Sequence, residues 1–296
     1  KPYFEKNQLS FFEMTVGFAF DYFRNENIYI AIVEVGMGGR LDSTNIITPE
    51  VSVITNIGLD HVQFLGNSLT EIASEKAGII KKEIPIIIGE TLRETKPVFE
   101  RIAAEKNAPI TFAESIDFSN YTSDLKGIYQ QKNIKTVLAA LKLLREKGWN
   151  ISEEAIEKGL LNTIKNTGLM GRWQVLSDAP KVICDTAHNK DGLKLVMQQL
   201  ENENFEKLHI VLGVVNDKDL DSVLPLFPKN ATYYFCKPNI PRGLDASLLL
   251  TKARGFGMIG EEYMSVEKAY KAATKVASRN DLIFVGGSTF VVAEVL

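Results

Sequence analysis

The sequence predicts an α/β protein built from two parallel-sheet domains. Three observations lead there. Short β-branched runs alternate with helical stretches along most of the chain, the pattern of parallel sheets with covering helices. That rhythm breaks once, at NTIKNTGLMG around Thr163–Gly171, and then restarts. The length of 296 residues is also close to twice the ~150 residues typical of one domain. Apolar residues make up 45% and charged residues 24%, near the globular average, which excludes wholesale disorder and fibrous repeats. The chain is long enough to bury a sizeable core without disulfide staples.

The first 27 residues are expected to form one helix leading into an interior-type strand at Ile28–Val35 (IYIAIVEV). An α/β domain rarely opens in this way, and with Lys1 in place of Met it suggests a piece of a longer protein. Val51–Ile57 reads as a second buried strand, being short, β-branched and nearly uncharged. A helix over Thr70–Lys82, a strand starting at Pro85, a helix over Arg93–Asn107 and a strand at Pro109–Phe112 follow. Ile128–Lys147 carries the clearest helical periodicity, with Ile134, Val137, Leu138, Leu141 and Leu144 on one face and Gly148 placed to end it. Ser152 is a candidate cap for the next helix, with Glu153 and Glu154 in its first turn. After Gly168, strands are expected at Trp173–Leu176, Val182–Asp185, Leu208–Val215, Thr232–Cys236 and Leu282–Val285. Helices are expected around Asp191–Leu200, Leu220–Leu226, Ala246–Arg254 and Val266–Ser278.

Several function classes are disfavoured. Lys and Arg number 34 against 37 Asp and Glu, a net charge of -3, so there is no overall electrostatic footprint for nucleic acid. No apolar run approaches the ~18 residues of a membrane span, and no signal peptide opens the chain. The two cysteines, Cys184 and Cys236, are too few for a disulfide framework and fit a reducing compartment. The expectation is a soluble, cytoplasmic monomer with no nucleic-acid or membrane partner.

Candidate chemistry gathers at strand ends. The stretch EVGMGGRLDSTN (Glu34–Asn45) sets a carboxylate at the end of a strand before three glycines in four positions. Ligands collect at such termini in parallel sheets, and glycine lets backbone approach them closely. An incidental Glu on a tight turn explains the stretch equally well, and it lacks the last glycine of the G-x-G-x-x-G fingerprint. Thr55–His61 (TNIGLDH) crowds polar groups at a second terminus, where Asp60 and His61 are a metal-ligand pair, an acid–base pair or a solvated turn. Glu71, Glu75 and Lys76 read first as an ordinary charged helix face. At a third terminus, DTAHN presents Asp185 and His188 shortly after Gly171-Arg172, and arginine suits phosphate or carboxylate contacts. His209, opening an apolar strand, reads as structural. No G-x-S-x-G, H-E-x-x-H or G-x-x-x-x-G-K-[ST] motif is present.

Taken in order, these stretches resemble folylpolyglutamate synthase/dihydrofolate synthase of the Mur ligase superfamily. EVGMGGRLDSTN is similar to that family's EVGLGGRLDATN, and TNIGLDHVQFLG, IASEKAGIIK, GRWQVL and DTAHN extend the match in sequence. Departures are Ser43 for Ala, Met170 where Pro is common in PGR, and Thr186 and Lys190 in a loop usually written DGAHNP. The resemblance implies the remainder of a P-loop-type parallel-sheet ATPase domain over 1–168 and a smaller Rossmann-like glutamate-ligase domain over 169–296. It implies ATP-dependent ligation of L-glutamate to folate or dihydropteroate through an acyl phosphate. Residue by residue it implies Glu34 and His61 as Mg²⁺ ligands, and Lys76 as the lysine carbamylated in the superfamily. Asn133, Arg172 and Asp185 would be ATP contacts, and His188 would hold glutamate or the reacting carboxylate. Leu41, Asp42 and Ser43 would form the pterin-side loop, and Arg242 and Ser288 are candidate anion contacts. The family's phosphate-binding GTNGKGS loop is absent from these residues, so the 296-residue chain alone is expected to be inactive. The competing readings are another Mur-type amino-acid ligase, a binding protein without a nucleotide loop and, third, a dehydrogenase.

Overall fold

The computed structural model describes residues 6–117 and 121–296. Contacts group the described residues up to 117 with Lys132–Asn150 in one body, and 121–131 with Ile151–Leu296 in another. Residues 151–168, assigned to the first domain from the sequence, pack in the second body. The cause is local: Asp124 N–H donates to Leu160 O at 3.2 Å, Ile164 N–H donates to the Asp124 carboxylate at 2.8 Å, and Tyr121 donates to Glu153 at 2.6 Å.

In the first body, helix α1 (Phe11–Asn25) starts where Ser10 and Glu13 form a reciprocal capping box. Glu13 N–H donates to Ser10 Oγ at 3.2 Å and Ser10 N–H donates to Glu13 Oε2 at 2.7 Å. The expected helix over the first 27 residues is thus 15 residues long, and residues 1–5 of it lie outside the described residues. The expected strand Ile28–Val35 makes no ladder among the described residues, and Ile32 is 98% exposed. Its apolar pattern reports what the segment would bury, whereas a strand also requires a neighbour for its N–H and C=O groups. The sheet contains β1 (Ser52–Ile54), β2 (Ile86–Ile88) and β3 (Ile110–Phe112), all parallel, in the order β1-β2-β3. Side-chain alternation divides β2 between two layers. Ile86 and Ile88 join Ile72, Ala73 and Phe99 of α3 (Leu69–Lys76) and α4 (Lys96–Glu105), while Ile87 packs with Ala139 of α5 (Gln130–Glu146). A short helix α2 (Val62–Leu65) precedes α3. Of the α5 face read from the sequence, Ile134 and Leu138 are buried, but Val137 is 43% exposed.

The second body adds α6 (Glu153–Leu161) and α7 (Thr163–Thr167) to a six-stranded sheet. Ser152 caps α6 as expected, accepting from Ala155 N–H at 3.1 Å. The strands are β4 (Gln174–Asp178), β5 (Lys181–Cys184), β6 (Leu208–Leu212), β7 (Thr232–Cys236), β8 (Ile259–Tyr263) and β9 (Leu282–Gly286), in the order β4-β5-β9-β6-β7-β8. All neighbours are parallel except β4 with β5. Strand β8, IGEEY, was not expected from the sequence; it is a polar edge with Ile259 75% exposed, so it lacks the apolar signal of a central strand. Alternation again splits the strands. Ile210, Leu212, Tyr233 and Phe235 face α8 (Lys190–Glu201) and α10 (Ala246–Gly255). Val211, Tyr234 and Cys236 face α11 (Val266–Val276) and α12 (Thr289–Ala293). The short α9 (Leu220–Val223) completes the chain order. Both cysteines are free and buried; burial, with the Asp185 charge adding to it, pushes the Cys184 thiol up to about 12. No helix among the described residues is long and apolar enough to cross a membrane.

His209 is the structural histidine expected. Its ring is 3% exposed, with Nδ1 3.1 Å from Tyr234 Oη and Nε2 3.5 Å from Asp281 Oδ2. Burial raises the Asp281 pKa, but N–H donation from Ser278 and Lys207 and the His209 ring outweigh it, leaving the carboxyl below its ordinary value of 3.8. A lowered carboxyl stabilises the fold above the unfolded value, and that contribution is lost as pH falls through the folded one. Asp281→Asn is therefore expected to flatten the acid limb of stability below about pH 4, read by urea unfolding at several pH values. An unchanged acid limb would refute it.

Candidate active site

The first group of predicted residues surrounds the glycine loop after residue 35. Asp42 organises it: Oδ1 accepts from Thr44 N–H at 2.9 Å and from the Thr44 hydroxyl at 2.5 Å, and Oδ2 accepts from Met37 N–H at 3.0 Å. Burial pushes the Asp42 pKa up, yet these donors outweigh it and hold the carboxyl below its usual range. Leu41 is 80% exposed and Ser43 half-buried. The loop is fastened to the end of α3. Arg40 donates to both Glu75 oxygens, at 2.9 and 3.2 Å, and its N–H donates to Glu75 O at 2.9 Å. Asn45 Nδ2 donates to Gly78 O at 3.0 Å. Gly78 permits this approach, since a Cβ there would lie 2.3 Å from Arg40 Cα. Gly78→Ala is expected to lower unfolding free energy by about 1–3 kcal/mol and to speed tryptic cleavage after Arg40; an unchanged cleavage rate would count against this packing.

Lys76 ends α3, half-buried beside that loop. Burial lowers its pKa, and the Asp60 charge partly restores it. Helix α3 owes its position to a capping box: Glu71 N–H donates to Ser68 Oγ at 3.2 Å, and Ser68 N–H donates to Glu71 Oε2 at 3.1 Å. So the Glu71/Glu75 pair is not an idle charged face; one residue caps the helix and the other grips Arg40. His61 is exposed and left-handed at φ 51°, a region histidine enters more readily than most residues. Glu34 is exposed and lines a shallow apolar groove of about 190 Å³ with Phe12, Val16 and Thr44. Asn133 lies exposed on α5.

The second group surrounds the end of β5. Asp185 is 2% exposed. Its Oδ2 accepts from Trp173 N–H at 2.7 Å and from the Tyr129 hydroxyl at 2.7 Å, and Oδ1 accepts from Ala187 N–H at 2.8 Å. Burial raises its pKa against the pull of these donors and of the Arg172 charge. The Arg172 guanidinium bonds the Thr186 hydroxyl. His188 Nδ1 sits 3.0 Å from Thr186 O; a carbonyl only accepts, so Nδ1 carries a proton and the lone pair of the neutral ring lies on Nε2. Ser288 caps α12, accepting from Phe290 N–H at 3.2 Å. Arg242 lies 5.0 Å over the Phe290 ring and 3.8 Å from Asp217.

Asp185, Arg172 and His188 thus share one loop system, and Leu41–Ser43 and Lys76 share another. No contact joins Glu34 to His61. Among the described residues, no three acidic, histidine or cysteine side chains converge as a metal cage. Mg²⁺ is commonly held by one or two carboxylates, with water and phosphate oxygens completing its shell; the exposed Glu34 carboxylate is a donor of that kind, and the His61 imidazole is an unusual one for a hard cation. The sequence reading missed Arg40–Glu75 and Tyr129. The S-x-x-E spacing at Ser68–Glu71 was a legible cap, but contacts 35 and 56 residues apart leave no local signal.

Residues 6–144 match the Mur ligase middle domain and 171–289 the Mur ligase glutamate ligase domain. A dihydrofolate synthase/folylpolyglutamate synthase of Escherichia coli is 33% identical over 97% of this chain and 69% of its own length. The chain belongs to the dihydrofolate synthase/folylpolyglutamate synthase family. A probable bifunctional folylpolyglutamate synthase/dihydropteroate synthase of Haloferax volcanii is 31% identical over 99% of the chain. Among solved structures, a bifunctional folylpolyglutamate synthase/dihydrofolate synthase with Mn, AMPPNP and L-glutamate bound aligns with a TM-score of 0.82 and 28% identity over 97% of the chain. The chain spans 38% of the Haloferax relative's length and 71% of that crystallised family member. The family assignment agrees with the α/β architecture of both bodies.

Proposed function

We propose that this chain forms part of a cytoplasmic, monomeric ligase that joins L-glutamate to folate or dihydropteroate at the expense of ATP. Its carboxylate acceptor is phosphorylated to an acyl phosphate, and the glutamate amine displaces phosphate to form the amide. Family membership and two organised loop systems, one beside the end of α3 and one after β5, support this reading, and the free, buried thiols agree with a reducing compartment. The observation that carries it is the match to both Mur ligase domains over residues 6–144 and 171–289; Lys76 agrees with it, half-buried beside the Arg40–Asn45 loop with its ammonium disfavoured by burial against the opposing charge of Asp60. Carbamate formation requires a neutral amine, and desolvation moves a lysine in that direction. The resulting anion would face the phosphorylation chemistry.

The roles are divided among residues of the two matched domains, 6–144 and 171–289. Glu34 and His61 would hold the divalent cation, which when bound neutralises charge between phosphates. Leu41, Asp42 and Ser43 would border the acceptor, with Asp42 fixing the loop through Thr44 and Met37. Asn133, Arg172 and Asp185 would hold the nucleotide, Arg172 through its guanidinium. His188, its Nδ1–H bound to Thr186 O, would direct Nε2 toward the incoming amino acid.

The test is glutamate-dependent ADP release by the protein of the complete reading frame, with dihydropteroate and a reduced folate monoglutamate as acceptors. Turnover with either supports the proposal and names the branch; none with either defeats it. The 296-residue chain, which contains no G-x-x-x-x-G-K-[ST] loop, is expected to release none by itself.

A further inference from the structure

Two of the three donors to Asp185, the Trp173 and Ala187 N–H groups, belong to the turns that flank it. The third, the Tyr129 hydroxyl, arrives from 56 residues earlier in the chain. That arrival is engineered on several sides. Ile128 N–H donates to Gln199 Oε1 at 2.7 Å, and Gln199 Nε2 returns a bond to Lys126 O at 2.9 Å. The Tyr129 ring packs against the core layer that holds Ile183 and Leu193. It also lies over Gly127, where a Cβ would be 2.6 Å from the ring carbons. Burial, and after it the Asp185 charge, pushes the phenol's pKa up, so its proton stays in place to be donated. A phenol led to a buried carboxylate by a dedicated segment, where the backbone already supplies two bonds, does more than fill space.

We propose that Tyr129 is a positioning residue for nucleotide binding: its hydroxyl fixes the rotamer of the Asp185 carboxylate and, through the shared Oδ2, the Gly171–Trp173 turn that presents Arg172. This rests on the reading of Asp185 and Arg172 as nucleotide contacts. Tyr129 acts through Asp185, so the two should behave as one unit.

Tyr129→Phe removes the hydroxyl and keeps the ring. ADP is titrated calorimetrically into the protein of the complete reading frame as wild type, Tyr129→Phe, Asp185→Ala and the double variant. The phenylalanine variant is expected to bind about tenfold more weakly, the scale of one hydrogen bond to a charged acceptor. That loss is expected to vanish in the Asp185→Ala background, which removes the acceptor, whereas additive losses would overturn the proposal. A second measurement needs no ligand. Hydrogen exchange at the Trp173 and Ala187 amides should quicken about tenfold in Tyr129→Phe, again one hydrogen bond's worth, with β6 unchanged. Unaltered protection at those two amides, or faster exchange throughout the second body, overturns the positioning role whether or not ADP binds. A complete wild-type protein that binds no ADP would instead defeat the nucleotide reading itself.

Discussion

Replacing Lys76 by alanine in the complete protein is expected to cut glutamate-dependent ADP release at least about 100-fold, the scale on which a single preorganised electrostatic group acts in a transition state. The fold should barely notice. Lys76 is the last residue of α3, and the helix is held by the Ser68–Glu71 capping box and by Ile72 and Ala73 in the core, none of which the substitution touches. Lys76→Arg separates two accounts of the role. Arginine keeps the positive charge but stays protonated, so it offers no neutral amine to carbon dioxide. If carbamate is the working form, arginine fails as completely as alanine; activity restored by arginine would leave a simple cation and sink the carbamate. The pH dependence has a definite sign. Burial lowers the Lys76 pKa while Asp60 opposes it, so the neutral fraction, and activity with it, rises with pH below the range of an ordinary lysine. Asp60→Asn removes the opposing charge and should move that rise to lower pH still.

The strand and helix rhythm was legible wherever burial imposed a periodicity. Both faces of β6, β7 and β9 are covered, and their apolar runs show it; β8 is an exposed polar edge and showed nothing. Ile28–Val35 exposes the converse limit, because its apolar residues are as strand-like as those of β6, yet pairing is a property of two segments and one segment's pattern is silent about the other. The site divides in the same way. Glycines, acids and histidines after apolar runs marked the loops, and two of those runs, before Thr55 and Asp185, are strands of parallel pairs. What each side chain does there was hidden. Asp42 and Asp185 were read as ligand contacts; Asp42 is wrapped by donors of its own loop, and Asp185 by the Trp173 and Ala187 N–H groups and the distant Tyr129 hydroxyl, so any hold they have on a ligand is exerted from an already organised position. Glu75 looked like half of an exposed helical pair until its partner proved to be Arg40, far away in sequence.

Asp185→Ala is expected to destabilise the second body by about 3 kcal/mol, the cost of stranding buried donors. The deletion leaves the Trp173 and Ala187 N–H groups and the Tyr129 hydroxyl without their acceptor at a site 2% exposed to solvent, where water is poorly placed to replace it. Asparagine should cost less, about 1–2 kcal/mol. Its carbonyl can take the Oδ2 position and serve both Tyr129 and Trp173, leaving a single donor–donor conflict between its amide and Ala187 N–H. The pH dependence distinguishes this from a packing defect. Burial raises the Asp185 pKa above its ordinary 3.8 despite the donors and Arg172. Between that ordinary value and the raised one, the folded chain holds a proton that the unfolded chain has released, so this group's contribution to stability falls as pH rises. Asp185→Asn carries no such proton, and its stability relative to wild type should therefore improve over that interval. Urea unfolding at pH 4 to 7, followed by the fluorescence of Trp173, which is packed in the same layer as Ile183, reads both effects. A variant ordering in which asparagine costs as much as alanine, or a difference that ignores pH, would mean that the three donors do not hold an ionisable carboxyl in the way its surroundings imply.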